Sequence, residues 1–247
     1  MEGLRVERAD GIVTVTLDRP ERRNAIDGPM FDGLRDEFRA VAANQGDRVV
    51  VLTGAGGAFS SGGDLNPDRP SGEDTLTMMR RIGGAALALH ECPKPVIAAV
   101  DGVAVGAGLS LVLGCDLVVA SDRARFSLLF VRNGLALDMG ASWLLPRRLG
   151  WGRANELALL GEWSDAAEAE RIGLVNRVVP VEDLAGVVGE WAQRLAGSSP
   201  TAVQAIKRSL AKSEWNTMAE SLEDEANAQS TCAQSPELRA AIEARRR

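Results

Sequence analysis

Three stretches of this 247-residue chain carry residue types that could do chemistry. Gly106-Ala107-Gly108 follows the apolar run 96–100 and precedes a second apolar segment, the pattern of a buried strand, a tight turn and a buried helix. Glycine lets the backbone approach a ligand, and the first amides of a helix are free donors that favour negative charge. Ser61-Gly62-Gly63-Asp64 follows the apolar run 49–52 in the same way. Two such amides converging on one oxygen would form an oxyanion hole; close strand–helix packing is the other use of the same glycines. The third stretch is a single acid, Asp138, among Leu135, Ala136, Leu137 and Met139. Burial without a partner raises a carboxyl pKa and suits a proton shuttle. An N-cap for a helix over 141–149 is an equally ordinary use of aspartate.

Other chemistries lack their residues. Gly-Lys-Ser/Thr is absent and Leu111 stands where a dinucleotide fingerprint has its third glycine, so neither phosphate-binding motif is present. Cys92, Cys115 and Cys232 are far apart and show no CxxC spacing, which indicates neither a disulfide framework nor a zinc site. His90 is the only histidine, and nothing places a nucleophile beside it for a triad. A formal charge of −6 speaks against a nucleic-acid surface. No secretory leader or long apolar span is evident, so the expected setting is cytoplasmic, with no membrane partner. No metal or redox cofactor is expected.

The elements that must position these residues read as α/β. Residues 12–17 alternate as a half-exposed strand, and a helix starts near Pro29 with Phe31, Leu34, Phe38 and Val41 on one face. Residues 49–52 suit the middle of a sheet covered on both sides. Residues 66–74 read as a polar, mobile loop, followed by a helix over 75–91. Strands are expected over 116–120 and 175–179, with a short apolar stretch at 127–131. Helices are expected over 152–160, 164–171, 182–195, 200–212 and 213–229. The division is a core to about residue 195 and a helical tail over 196–247, whose apolar residues, together with Trp191 just before it, could pack against another subunit.

Four segments now resemble one family: LDRPERRNAI (17–26), VVVLTGAGGAFSSGGDL (49–65), KPVIAAVDGVAVGAGLSLVLGCDLVVAS (94–121) and LALLGEWSDAAEAERIGLVNRVVP (157–180). Together they resemble the crotonase superfamily of enoyl-CoA hydratases and isomerases, from about residue 4 to about 210. The resemblance implies a crotonase-like fold of repeated ββα units, a helical trimerisation region in homotrimers or hexamers, and an acyl-CoA thioester as ligand. It assigns the two oxyanion amides to Gly63 and Ala107. It assigns CoA contacts to Arg22, Arg23 and Ala25 and to Ser61, Gly62, Asp64 and Leu65. Either arginine could meet a phosphate, and a plain exposed arginine is the alternative.

The departures from the family pattern matter most. Where hydratases carry two glutamates, this chain has Ser110 and Phe130; neither is a competent base. Asp138 matches the acid of family isomerases, and its surroundings are similar to the branch of 1,2-epoxyphenylacetyl-CoA and Δ3,Δ2-enoyl-CoA isomerases. Isomerisation through an enolate, with Asp138 as acid/base and CoA present only as part of the substrate, is the expected activity. Ser110, Phe130, Leu135 and Met139 are the expected pocket residues, with Leu137 and Trp143 beside them; all are plausible core residues too. Two other readings use the same fold: a hydratase-like or hydrolytic enzyme built on Asp138, and an acyl-CoA binding protein without turnover.

Overall fold

The computed structural model describes residues 2–65 and 74–244; the expected loop at 66–74 lies outside them except for Asp74, the N-cap of the helix that follows. In chain order the first elements are β1 (Leu4–Ala9), β2 (Ile12–Leu17), α1 (Gly28–Ala43), β3 (Val49–Gly54), α2 (Thr75–Glu91), β4 (Val96–Val100), β5 (Val103–Val105) and α3 (Ala107–Gly114). They are followed by β6 (Leu117–Ser121), β7 (Arg125–Ser127), α4 (Ala141–Leu149), α5 (Trp151–Leu160), β8 (Ser164–Asp165), α6 (Ala166–Arg171) and β9 (Arg177–Val179). The last four are α7 (Leu184–Ala196), α8 (Pro200–Lys212), α9 (Met218–Ala233) and α10 (Pro236–Ala244).

Side chains on a strand alternate between faces, and this chain fills both faces with apolar residues. The six-stranded sheet runs β1-β2-β3-β4-β6-β9, antiparallel only between β1 and β2. Val50, Leu52, Ala98, Val100 and Val118 face one core together with Leu34 and Phe38 of α1 and Leu109 of α3. Their neighbours Val49, Val51, Ile97, Ala99 and Val119 face a second core closed by Leu184, Val188 and Ala192 of α7. Coverage on both sides is why these strands read as unbroken apolar runs. The expected face of α1 is buried in full: Phe31, Leu34, Phe38 and Val41.

The structure corrects several expectations. The elbow is not one strand running into one helix. After β4 the chain enters β5, which belongs to a separate three-stranded sheet, β5-β7-β8, and only then α3. The stretch expected at 127–131 is mostly loop, its strand lying at Arg125–Ser127. The helix expected over 213–229 starts at Met218, behind a capping box between Thr217 and Glu220. Trp191 packs against the α7 core of its own chain.

The candidate active site

The loop between β2 and α1 is folded onto the turn after β3 by two polar residues. Asn24 is fully buried. Its side-chain amide donates to the carbonyls of Ala55 and Ala58, at 2.9 and 2.7 Å, and its oxygen accepts from the Arg19 N–H. Arg23 and Asn24 both take left-handed backbone angles, with φ of 49° and 56°. Asparagine tolerates that region better than most residues. The Arg19 guanidinium donates to the Ala25 carbonyl and to the Asp64 carboxylate, at 2.8 and 3.2 Å, and lies 3.4 Å from Asp27.

This frame aims the Gly63 amide. The Ile26 N–H donates to the Gly62 carbonyl and the Asp64 N–H donates to the Ile26 carbonyl, so Ile26 and Gly63 form a parallel bridge. In a parallel bridge the residue between the two bonds turns its own N–H the other way. Gly62 sits at φ 100°, where a side chain would stand 2.9 Å from the Val105 carbonyl and 3.7 Å from the Ala107 nitrogen. The turn after β3 and the start of α3 are therefore in direct contact. Ala107 is the first residue of α3, and its amide is one of those a helix leaves unpaired. Among the described residues, neither the Gly63 nor the Ala107 N–H donates to a protein acceptor.

Asp138 lies in the loop before α4. The N-cap of that helix is Gly140, without a side-chain cap bond, so Asp138 is not the cap. Its carbonyl accepts from the Ala141 N–H, and Met139 and Gly140 follow at φ 50° and 79°. A methionine in that region is strained; burial of its side chain anchors the turn. In the Asp138 carboxyl, Oδ1 is buried without a hydrogen-bond partner among the described residues. Burial pushes its pKa up to about 6, since the charged form has lost its water and gained no cation.

The other expected site residues divide clearly. Arg22 and Arg23 are exposed and Ala25 is half-buried beside them. The Ser61 hydroxyl donates to the Arg22 carbonyl at 3.2 Å, and Leu65 is exposed. The Asp64 carboxylate is taken up by Arg19. Phe130 is buried and lies along the elbow, 3.7 Å from where a Gly106 side chain would begin. Ser110 is buried and bonded within its own helix. Met139 is buried, Leu137 half-buried and Leu135 half exposed. Trp143 lies edge-on to His90 at 5.1 Å and stacked on Trp215 at 5.7 Å, with the Arg147 guanidinium over it.

Arg19 and Asn24 hold the loop between β2 and α1 in place, and the polar run from Asp18 to Asn24 is their only local signal in the sequence. A hollow of about 970 Å³ lies between α8, α9 and α10 and includes none of the site residues. No group of three or more metal-ligating side chains occurs among the described residues, and no described helix is long and apolar enough to cross a membrane.

The two free amides at touching turns suit negative charge on a carbonyl oxygen, and the unpartnered acid suits proton transfer. The chain is 37% identical to 1,2-epoxyphenylacetyl-CoA isomerase of Escherichia coli K12, over 95% of this chain and 91% of that one. It superposes on an enoyl-CoA hydratase from Bacillus anthracis with a TM-score of 0.93 at 28% identity, covering 99% of this chain and 96% of the other. An enoyl-CoA hydratase candidate from Thermobifida fusca, solved in complex with acetoacetyl-CoA, matches with a TM-score of 0.88 at 32% identity, covering 94% of each chain. The family model for enoyl-CoA hydratase/isomerase matches residues 7–246. With the crotonase fold and this coverage, the chain belongs to the enoyl-CoA hydratase/isomerase family.

Proposed function

We propose that this enzyme isomerises the double bond of an enoyl-CoA thioester, with Asp138 carrying the proton. The observation behind the reading is the Asp138 carboxyl, buried at Oδ1 without a partner and shifted by burial alone to about 6. An acid titrating there is largely ionised at neutral pH, yet close enough in pKa to give the proton back. Asp138 takes a proton from C2 of a 3-enoyl thioester; the electron pair moves onto the thioester oxygen, held by the Gly63 and Ala107 amides. The resulting dienolate collapses as the same carboxyl returns the proton at C4, leaving the 2-enoyl thioester. One oxyanion donor is typically worth about 3–4 kcal/mol.

Arg22 and Arg23 are the cations we assign to the CoA phosphates, with Ala25, Ser61, Gly62 and Leu65 along the same edge and Asp64 acting through Arg19. Phe130, Met139 and Leu137 wall the acyl side in this reading, and Phe130 keeps out the water that hydration needs. The exposed apolar residues of the tail, Ile206, Leu210 and Leu222 among them, fit a homotrimer or a pair of trimers, and the tail over 196–247 is the part we assign to that contact. Light scattering reads the assembly directly.

The test of the reaction is Asp138→Asn with 3-enoyl-CoA as substrate, followed by the absorbance of the conjugated product. The expected result is a loss of about 10²–10⁴-fold in turnover with acyl-CoA binding retained. An unchanged rate ends the proposal. Formation of 3-hydroxyacyl-CoA from 2-enoyl-CoA, release of free CoA, or binding without turnover would each assign the chain to another activity on the same fold.

A further inference from the structure

One side chain touches both halves of the amide pair. Ser60 is fully buried. Its hydroxyl donates to the Asn24 carbonyl at 2.8 Å and accepts from the Gly62 N–H at 3.1 Å. Its backbone is stitched to the strand that leads into the elbow: the Ser60 N–H donates to the Val103 carbonyl, and the Val105 N–H donates to the Ser60 carbonyl, both at 2.9 Å. From the other side, Gly108 of α3 packs onto it so closely that a Cβ there would stand 2.7 Å from the Ser60 Cβ and 2.9 Å from its Oγ.

These contacts have a chemical consequence. Three successive amides leave the turn after β3, at Gly62, Gly63 and Asp64. The Gly62 N–H is bonded to Ser60 and the Asp64 N–H to Ile26, which leaves the Gly63 N–H as the one aimed outward. Without the Ser60 oxygen, the Gly62 amide would be buried and unpaired, a costly condition that peptide rotation would relieve. Rotation of the 62–63 segment would swing the Gly63 amide off its direction. The same hydroxyl ties that segment to Asn24, and the same backbone ties it to β5, two residues before Ala107.

We propose that Ser60 is a positioning residue for the reaction, setting the distance and direction between the Gly63 and Ala107 amides through its hydroxyl. The inference rests on the reading of those amides as an oxyanion hole, and the two can fail separately. Ser60 acts on the substrate only through Gly62–Gly63 and takes no proton from it.

The experiment uses full-length protein and octanoyl-CoA labelled with ¹³C at the thioester carbon, a saturated probe without a double bond to isomerise. Infrared difference spectra read the labelled carbonyl stretch free and bound, which falls as hydrogen bonds to the oxygen strengthen. Wild-type protein is expected to lower it. Ser60→Ala is expected to recover a good part of that downshift and to lose about ten- to a hundredfold in kcat on 3-enoyl-CoA, with the probe's dissociation constant changed less than about threefold. Ser60→Thr, which retains the hydroxyl, is expected to keep the wild-type frequency in the folded protein. A wild-type downshift and kcat both retained in Ser60→Ala would overturn the positioning role while leaving the hole intact. Equal loss of binding, thermal stability and kcat at an unchanged carbonyl frequency would overturn it as well, marking plain packing. The absence of a downshift in wild-type protein would remove the hole, and this proposal with it.

Discussion

The Ser110 hydroxyl donates to the Gly106 carbonyl at 3.2 Å, one turn back along α3, and both residues are buried. Hydroxyls in helices commonly bond to the carbonyl four residues earlier. This bond keeps Ser110 directed into its own helix, and among the described residues no ionisable side chain hydrogen-bonds to its oxygen. Ser110→Ala is therefore expected to change kcat/KM by less than about threefold. The lost hydrogen bond and the better helix propensity of alanine nearly offset each other, within about 1 kcal/mol. Steady-state kinetics and a thermal melt check both numbers; a loss of a hundredfold would return Ser110 to the proton chemistry.

The Asp138 carboxyl makes a prediction in two independent measurements. With a pKa near 6 in the folded protein against 3.8 without perturbation, the native state holds its proton more tightly than the unfolded chain. Stability contributed by this group is full below about pH 4 and falls as pH rises to about 6, by about 3 kcal/mol in all. Asp138→Asn removes that penalty. The variant is expected to match wild type near pH 4 and to exceed it in urea denaturation above pH 7. Over the same range wild-type kcat/KM should rise with an apparent pKa near 6, as the base ionises. A stability difference that is flat with pH would contradict the burial of this carboxyl.

Much of the frame is legible in the residue order, because it rests on periodicity. The buried face of α1 follows from Phe31, Leu34, Phe38 and Val41, and α2 begins and ends where its pattern does, at Thr75 and Glu91. The amide turns were readable too, as glycines after apolar runs. β5 was not, since three residues are too few to display an alternation. Asp138 stayed open between cap and shuttle until the backbone showed Gly140 in the cap position. Asn24 binds carbonyls 31 and 34 residues away and Ser60 a carbonyl 36 residues away; no local pattern encodes such pairings. Trp143 reads equally as pocket or core, and its stacking on Trp215 has no local signal either.

Asn24 should be more sensitive than its place in a polar loop suggests. Asn24→Ala leaves the buried carbonyl of Ala58, the half-buried carbonyl of Ala55 and the Arg19 N–H without their partner, and puts alanine at φ 56°. Each unpaired buried group costs about 1–3 kcal/mol, softened where water enters, so a total loss of about 3–5 kcal/mol is expected. Asn24→Asp should be no better at neutral pH, because a carboxylate cannot donate to two carbonyls. Chemical denaturation checks the stability. In folded protein, acyl-CoA binding should weaken several-fold, since Arg22 and Arg23 lie on the segment that Asn24 secures.

Arg148 tests how the Asp138 loop is backed. Its guanidinium is mostly buried, and donates to the Cys115 carbonyl at 2.7 Å and the Leu174 carbonyl at 3.2 Å. Burial holds its pKa below the usual arginine value, although the group stays charged at any working pH. Those carbonyls stand just ahead of β6 and β9, adjacent strands of the large sheet, so one side chain pins α4 to two of them. A planar fork can serve both acceptors where an ammonium reaches one. Arg148→Lys is expected to lose about 1–2 kcal/mol and Arg148→Met about 2–4 kcal/mol, as one or both carbonyls go unpaired. The order Arg, Lys, Met in urea midpoints is the outcome to look for. A methionine variant as stable as wild type would mean that removing a buried charge outweighs the two lost bonds.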